Sequence, residues 1–277
     1  MEIIATKFLV TPALLLSVAA QADMASLNLE SEYQFELRGS YTYDDQPIAS
    51  LDFDSQAYGV EASYFYAPVK LGQQPYAEAA FLQGVSSLEL SMQRRETESR
   101  FTDCASCNAA SSTYDYLTLT SRSYVADYLY LEGTYSYSDY EYQSFNSTSS
   151  NDSDFWFASI GVMPLEGLLI TTDFNKRNSL FENGWNLGAK YVVPVTETAA
   201  INMEATYSDP DIGDDTWLLE ADYYFTPTLS LGGSYSTQSE LYTARSTWYW
   251  SKSFAVDVEY QEQYLGDSYT IGVSTRF

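Results

Sequence analysis

The 277-residue chain has no histidine, two cysteines, and only 13 lysines and arginines against 38 aspartates and glutamates. Each shortage excludes something. Without histidine there is no Ser-His-Asp relay and no imidazole ligand for a metal. Two cysteines cannot staple a whole fold together. A net charge of −25 excludes a surface built to neutralise nucleic-acid phosphates. Long apolar runs are scarce too. Apart from one at the N-terminus, none approaches the ~18 apolar residues of a membrane-spanning helix. What the chain does have is aromatic surface, with 26 Tyr, 14 Phe and 5 Trp. Its hydrophobic share of 45% is too high for a disordered acidic chain.

The N-terminal run Phe8–Ala20 (FLVTPALLLSVAA) follows Lys7 and leads into Ala20-Gln21-Ala22, an A-x-A cleavage pattern. Residues 1–22 therefore read as a signal peptide cut before Asp23, leaving 23–277 as one exported domain. Beyond it, period two dominates. Leu187, Ala189, Tyr191 and Val193 alternate with Asn186, Gly188 and Lys190. Trp217, Leu219, Ala221, Tyr223 and Phe225 alternate with Glu220, Asp222 and Tyr224. Such runs of about ten residues suit tilted strands crossing a bilayer.

Connectors of two kinds alternate. Short ones carry proline beside a strand end, as in Tyr66-Ala67-Pro68, Val162-Met163-Pro164, Val192-Val193-Pro194 and Phe225-Thr226-Pro227, with further turns near Val125–Asp127 and Ser251–Ser253. Longer polar ones span Asp44–Ser50, Arg94–Thr113, Gln143–Asp154, Asn175–Asn183, Ser208–Asp215, Ser236–Glu240 and Tyr264–Asp267. Their alternation predicts an all-β, antiparallel transmembrane barrel of about 14 strands. Twelve or 16 are the alternatives, because the pattern slips at Gln83–Ser87 and Ser138–Tyr142, where bulges are expected. A soluble β-sandwich also alternates its faces. Long strands with aromatics crowding their ends, such as Tyr41, Tyr64, Trp248 and Trp250, favour the barrel.

The C-terminal segment YTIGVSTRF sets Tyr269, Ile271, Val273 and Phe277 on one face and ends on Phe. It resembles the C-terminal strand that the barrel-assembly machinery reads in outer-membrane porins. With the leader and strand pattern, the chain is similar to Gram-negative porins, in style to the acidic, Tyr-rich porins of gammaproteobacteria and in size to monomeric fourteen-stranded channels. The resemblance implies a bacterial outer-membrane location among lipid and lipopolysaccharide. It supplies no selectivity residue.

If the apolar parity faces lipid, the opposite parity faces a pore: Glu36, Arg38, Glu61, Glu132, Lys190, Glu204, Glu220, Asp222, Arg245, Asp257, Glu259 and Arg276. Acids outnumber bases there, which predicts a weakly cation-preferring lumen. Paired carboxylates read as solvated charge rather than catalysis. The Asp209, Asp211, Asp214, Asp215 run matches no EF-hand, and no cofactor or enzyme is expected. Cys104 and Cys107 are expected to form a local disulfide in the Arg94–Thr113 loop. Arg94, Arg95 and Arg100 in that loop would anchor on lipopolysaccharide phosphates or fold into the mouth as a positive patch.

The expected function is passive diffusion of small hydrophilic solutes and ions. A closed structural or adhesive barrel and a sugar-specific channel, with Tyr130, Tyr224 and Tyr249 stacking on sugar rings, are the alternatives. A monomer is expected over a trimer, because only Arg94–Thr113 is long enough to fold inside.

Overall fold

A computed structural model describes residues 32–277 except 49–50, 102–107, 127, 145–146, 178–183, 211–213, 239 and 264–265. Among the described residues fourteen strands close into a barrel: β1 Glu32–Ile48, β2 Leu51–Lys70, β3 Ser87–Phe101, β4 Asn108–Val125, β5 Leu129–Ser144, β6 Ser147–Leu165, β7 Leu168–Arg177, β8 Gly184–Pro194, β9 Ala200–Pro210, β10 Thr216–Thr226, β11 Leu229–Ser236, β12 Leu241–Tyr249, β13 Phe254–Gln263 and β14 Gly266–Arg276. Each is antiparallel to its sequence neighbours. β1 closes on β14 from Glu36↔Arg276 to Asp45↔Asp267. Closure matters because an unpaired backbone group in lipid costs several kcal/mol, and a barrel has no open edge. No helix among the described residues is long and apolar enough to cross a membrane.

The period-two pattern sorts side chains between two environments. Val60, Leu90, Leu119, Ile160, Leu219, Val258 and Ile271 stand exposed on the outer face. Two aromatic girdles bound this band. The upper is built from cross-strand pairs with ring centroids 4.6–5.4 Å apart, including Tyr135–Trp156, Tyr207–Trp217, Tyr41–Tyr58 and Tyr260–Tyr269. The lower includes Phe35–Tyr64, Tyr223–Phe225 and Trp248–Trp250 at 4.8–4.9 Å. Rings that are apolar on the face and wet at the rim gather at the two membrane–water boundaries. Tyr269 and Ile271 of the C-terminal strand lie on this outer face, about half exposed. Phe277 sits at its lower rim, its carbonyl accepting from the amides of Gln34 and Phe35.

Strand boundaries depart from the sequence expectation in one consistent way: much of what reads as loop is strand. β3 runs to Phe101 and β4 starts at Asn108, so Arg94, Arg95 and Arg100 lie on β3 rather than in a long loop. β5 and β6 likewise absorb most of Gln143–Asp154. The expected irregularity at Ser138–Tyr142 is unbroken pairing to both neighbours. Ser, Asn and Asp suggest loops because they favour turns. Here their hydroxyls pair across strands instead, as in Ser138···Ser153 at 2.8 Å.

The same error occurs at the lower end. No turn forms at Pro68, because β2 continues to Lys70 past a bulge in its pairing with β1 between Tyr33 and Phe35. Pro68 falls in that stretch without a β1 partner, where its missing N–H costs no ladder bond. The bulge also turns Tyr33 into the barrel, 5% exposed, while Phe35 stays outside at 53%. Gln83–Ser87 is not a bulge either. It follows a helical segment in the connector between β2 and β3.

Candidate functional site

The β2–β3 connector, residues 71–86, holds a 3₁₀ turn (Tyr76–Glu78) and one helical turn (Ala79–Leu82). It leaves and rejoins the wall on adjacent strands, yet its contacts are on the far side of the barrel. The Tyr76 amide donates to the Pro227 carbonyl in the β10–β11 turn at 2.9 Å. The Glu78 carboxylate accepts from Tyr224 Oη of β10 at 2.9 Å and pairs with Lys190 Nζ of β8 at 2.9 Å. Lys190 also pairs with Glu204 of β9 at 2.8 Å and lies 5.1 Å from the Phe81 ring centre. The connector thus crosses the lumen.

A second anchor grips its near side. Arg276, 5% exposed, donates to the Tyr76 carbonyl at 3.1 Å, to Tyr249 Oη at 2.8 Å and to Glu36 at 2.7 Å. Its guanidinium stacks against Tyr33 and Tyr249, 4.5 and 4.6 Å from the ring centres. Tyr33, Phe65, Val69, Leu71, Tyr76, Ala79, Tyr249 and Ala255 make a dry cluster inside the barrel at this end. Glu78 is 6% exposed and Ala79 fully buried. Charges so enclosed are tolerated because each has partners, and removing one partner would leave the other buried and uncompensated.

Above the connector the wall carries ion pairs. Arg245 of β12 reaches over Gly232 of β11 to Asp222 of β10, bidentate at 2.8 Å, and also to Glu220 at 2.6 Å. A side chain at Gly232 would collide with Asp222 and the Ala221 carbonyl, so only glycine leaves this bridge room. Asp257 lies over Gly272 in the same manner and pairs with Arg38 at 2.6 Å. Arg122 joins Glu89 at 2.7 Å and Glu132 at 3.0 Å. Asn202, 2% exposed, donates to Glu204 and Asp222.

Glu36, Arg38, Glu61, Glu132, Lys190, Glu204, Glu220, Asp222, Arg245, Asp257, Glu259 and Arg276 all fall on the inner parity of their strands, opposite the exposed apolar positions. Sequence reasoning missed Glu89 and Arg122, although Leu88/Leu90 and Leu117/Leu119 flank their parity, and also Asp44 and Asp173. It missed Glu78 entirely. The signal there was negative, since 71–86 has no strand period.

Three expectations need correction. Arg94 and Arg95 are adjacent on β3 and face opposite ways: Arg94 pairs outside with Asp115 at 2.7 Å, and Arg95 inside with Asp44. The arginines therefore form no single patch. Tyr130, Tyr224 and Tyr249 are inward but only 4–8% exposed, sealed around the connector, and cannot stack on a passing sugar. Among the described residues the segment folded inside is the β2–β3 connector, which the sequence did not single out, while 94–101 and 108–113 lie in β3 and β4. Residues 1–22, Cys104 and Cys107 lie outside the described residues.

The family described as "Putative general bacterial porin" matches residues 6–277. No curated protein sequence matches the chain. Among solved structures, the Acinetobacter baumannii outer membrane protein Omp33 superposes with a TM-score of 0.64 at 20% identity, over 89% of this chain and 99% of that one. A mutant of the monoaromatic hydrocarbon channel TodX gives 0.56 at 12%, over 90% and 91%. At these identities the likeness is one of fold. The family match covers nearly the whole chain, and the protein belongs to this family of general bacterial porins, β-barrel channels of the bacterial outer membrane.

Proposed function

We infer that the protein passes small hydrophilic solutes and ions down their gradients across the outer membrane, with a weak preference for cations. The observation that carries this reading is the closed fourteen-strand barrel with polar and charged groups on its inner face, six strands more than the eight whose interior side chains just fill. Its end beside the chain's last residue is taken as periplasmic and the tall end as extracellular. Passage then requires the β2–β3 connector to shift, because it spans the periplasmic end.

Cation preference is supported by the charge pattern. Arg38, Arg95, Arg122, Lys190, Arg245 and Arg276 are each paired with carboxylates, whereas Glu61, Asp173 and Glu259 have no basic partner within 4.0 Å among the described residues. The surplus field inside is negative and concentrates cations. No cofactor and no bond chemistry enter this mechanism. The same reading has residues 1–22 removed on export. The outward Tyr269, Ile271, Val273 and Phe277 would be read by the barrel-assembly machinery, and lipopolysaccharide would surround the extracellular rim.

The test is planar-bilayer current from the full barrel across a tenfold salt gradient. Discrete steps with a cation-side reversal potential support the reading. An anion-side potential would remove the cation preference. A folded, heat-modifiable barrel that stays silent even with the connector shortened would remove the channel.

A further inference from the structure

In a chain of net charge −25, one sector of the inner wall is free of charge. Above the Arg122–Glu132 pair, no inner-facing position of β4, β5 or β6 is an acid or a base. The acids of these strands at that height, Asp115, Asp139, Glu141, Asp152 and Asp154, all fall on the outer parity. The facing β9–β13 wall carries Glu204, Glu220, Asp222, Arg245, Asp257 and Glu259, and its inner positions beyond them, such as Thr206, Ser208, Leu218, Thr243 and Gln261, are uncharged. Six aromatics occupy the neutral sector: Tyr114 and Tyr116 on β4, Tyr140 and Tyr142 on β5, Phe155 and Phe157 on β6. Tyr114 stacks on Tyr140 with centroids 4.2 Å apart, lies nearly parallel to Tyr116 at 5.9 Å, and Tyr140 neighbours Tyr142 at 6.5 Å. Tyr116 is 36% exposed and the other five are intermediate, unlike the sealed tyrosines around the connector. Hydroxyl pairs edge the rings: Thr118···Ser136 at 3.0 Å and Ser138···Ser153 at 2.8 Å.

We propose that this β4–β6 wall is a binding surface for neutral sugars entering from outside. A pyranose ring offers an apolar C–H face and a rim of hydroxyls that both donate and accept. The wall matches both, with aromatic area for the face and serine, threonine and tyrosine hydroxyls for the rim. Charge stands only at its two edges, where Arg95 of β3, paired with Asp44, is registered beside Tyr114 and Arg177 of β7 beside Phe155. The phenol ladder works as an entry platform, holding a sugar in the extracellular vestibule above the closed connector.

The inference rests on the channel reading and deepens it. Its test is saturation-transfer NMR on the full barrel in a polyoxyethylene detergent free of sugar, with maltotriose as probe and open-chain sorbitol as control. Transfer to the maltotriose ring protons is expected, with little to sorbitol. Tyr114→Ser or Tyr140→Ser should weaken the apparent affinity about three- to tenfold, the worth of one aromatic contact. Tyr137→Ser, on the outer face of β5, should leave it unchanged. If either inner variant fails the heat-modifiability check for folding, Tyr116→Ser at the exposed edge of the ladder takes its place. No transfer, equal transfer to sorbitol, or inner variants that bind like the parent would overturn the proposal. Bilayer current from the same preparations separates the two readings. A conducting barrel that ignores maltotriose refutes the platform alone, and a barrel silent even with its connector shortened refutes the channel.

Discussion

The two ends of this barrel are built from different materials. At the periplasmic end the interior resembles a protein core, with Tyr33, Phe65, Val69 and Tyr76 packed together and Glu78 and Arg276 almost fully enclosed. At the extracellular end β1–β6, 15–20 residues long against 8–11 for β7–β14, continue as a tall wall of hydroxyls and partly exposed rings, with nothing among the described residues crossing the space between. A membrane barrel need not be one uniform pipe. A single 16-residue connector concentrates packed side chains at one end, while the other end stays lined with polar groups.

The largest effect expected on this contrast comes from removing the connector. Replacing residues 73–84 with a short Gly/Asn turn should raise steady conductance at least severalfold in a planar bilayer, since polar lumen would then run through both ends. Next comes loss of one latch. Lys190→Met leaves Glu78 and Glu204 without their cation and should destabilise the docked connector by about 2 kcal/mol. Hydrogen exchange at the Ala79–Leu82 amides should then speed up, with little change in the strands. Gly232→Ala should push Asp222 and Arg245 apart and lower barrel stability by about 1–3 kcal/mol in denaturant, without freeing the connector. A smaller effect is expected from Glu61→Gln with Glu259→Gln in the connector-shortened channel, where the reversal potential should move toward zero. Least is expected of Arg94→Ala. Its pair with Asp115 is half exposed on the outer rim and contributes at most about 0.5 kcal/mol, so current and stability should stay within error.

How far the sequence alone reaches also differs between the ends. The membrane-spanning middle is legible because lipid on one side and water on the other impose a strict period of two, as in Trp217–Phe225. The parity of Glu220, Asp222 and Arg245 follows from it, and the alternation of short and long connectors gives the strand number. The extracellular extensions are not legible in the same way. Water wets both faces there, so the period slips at Ser138–Tyr142 and Gln143–Asp154 resembles a loop. The connector is hidden for another reason. Tyr76, Glu78 and Ala79 take their places from Lys190, Tyr224, Pro227 and Arg276, more than 100 residues away in the chain. Neither a helical repeat nor a motif in 71–86 announces that docking. The buried tyrosines show the same limit, since parity placed Tyr224 and Tyr249 inside but could not show what would cover them.

The most direct measurement is the current through the connector-shortened barrel set beside that of the parent, in one bilayer and one buffer. A parent that conducts weakly or in rare bursts, and a shortened form that opens in large, steady, cation-favouring steps, is the predicted pair. Equal, large currents from both would show that the connector does not close the lumen and would contradict the account at its centre.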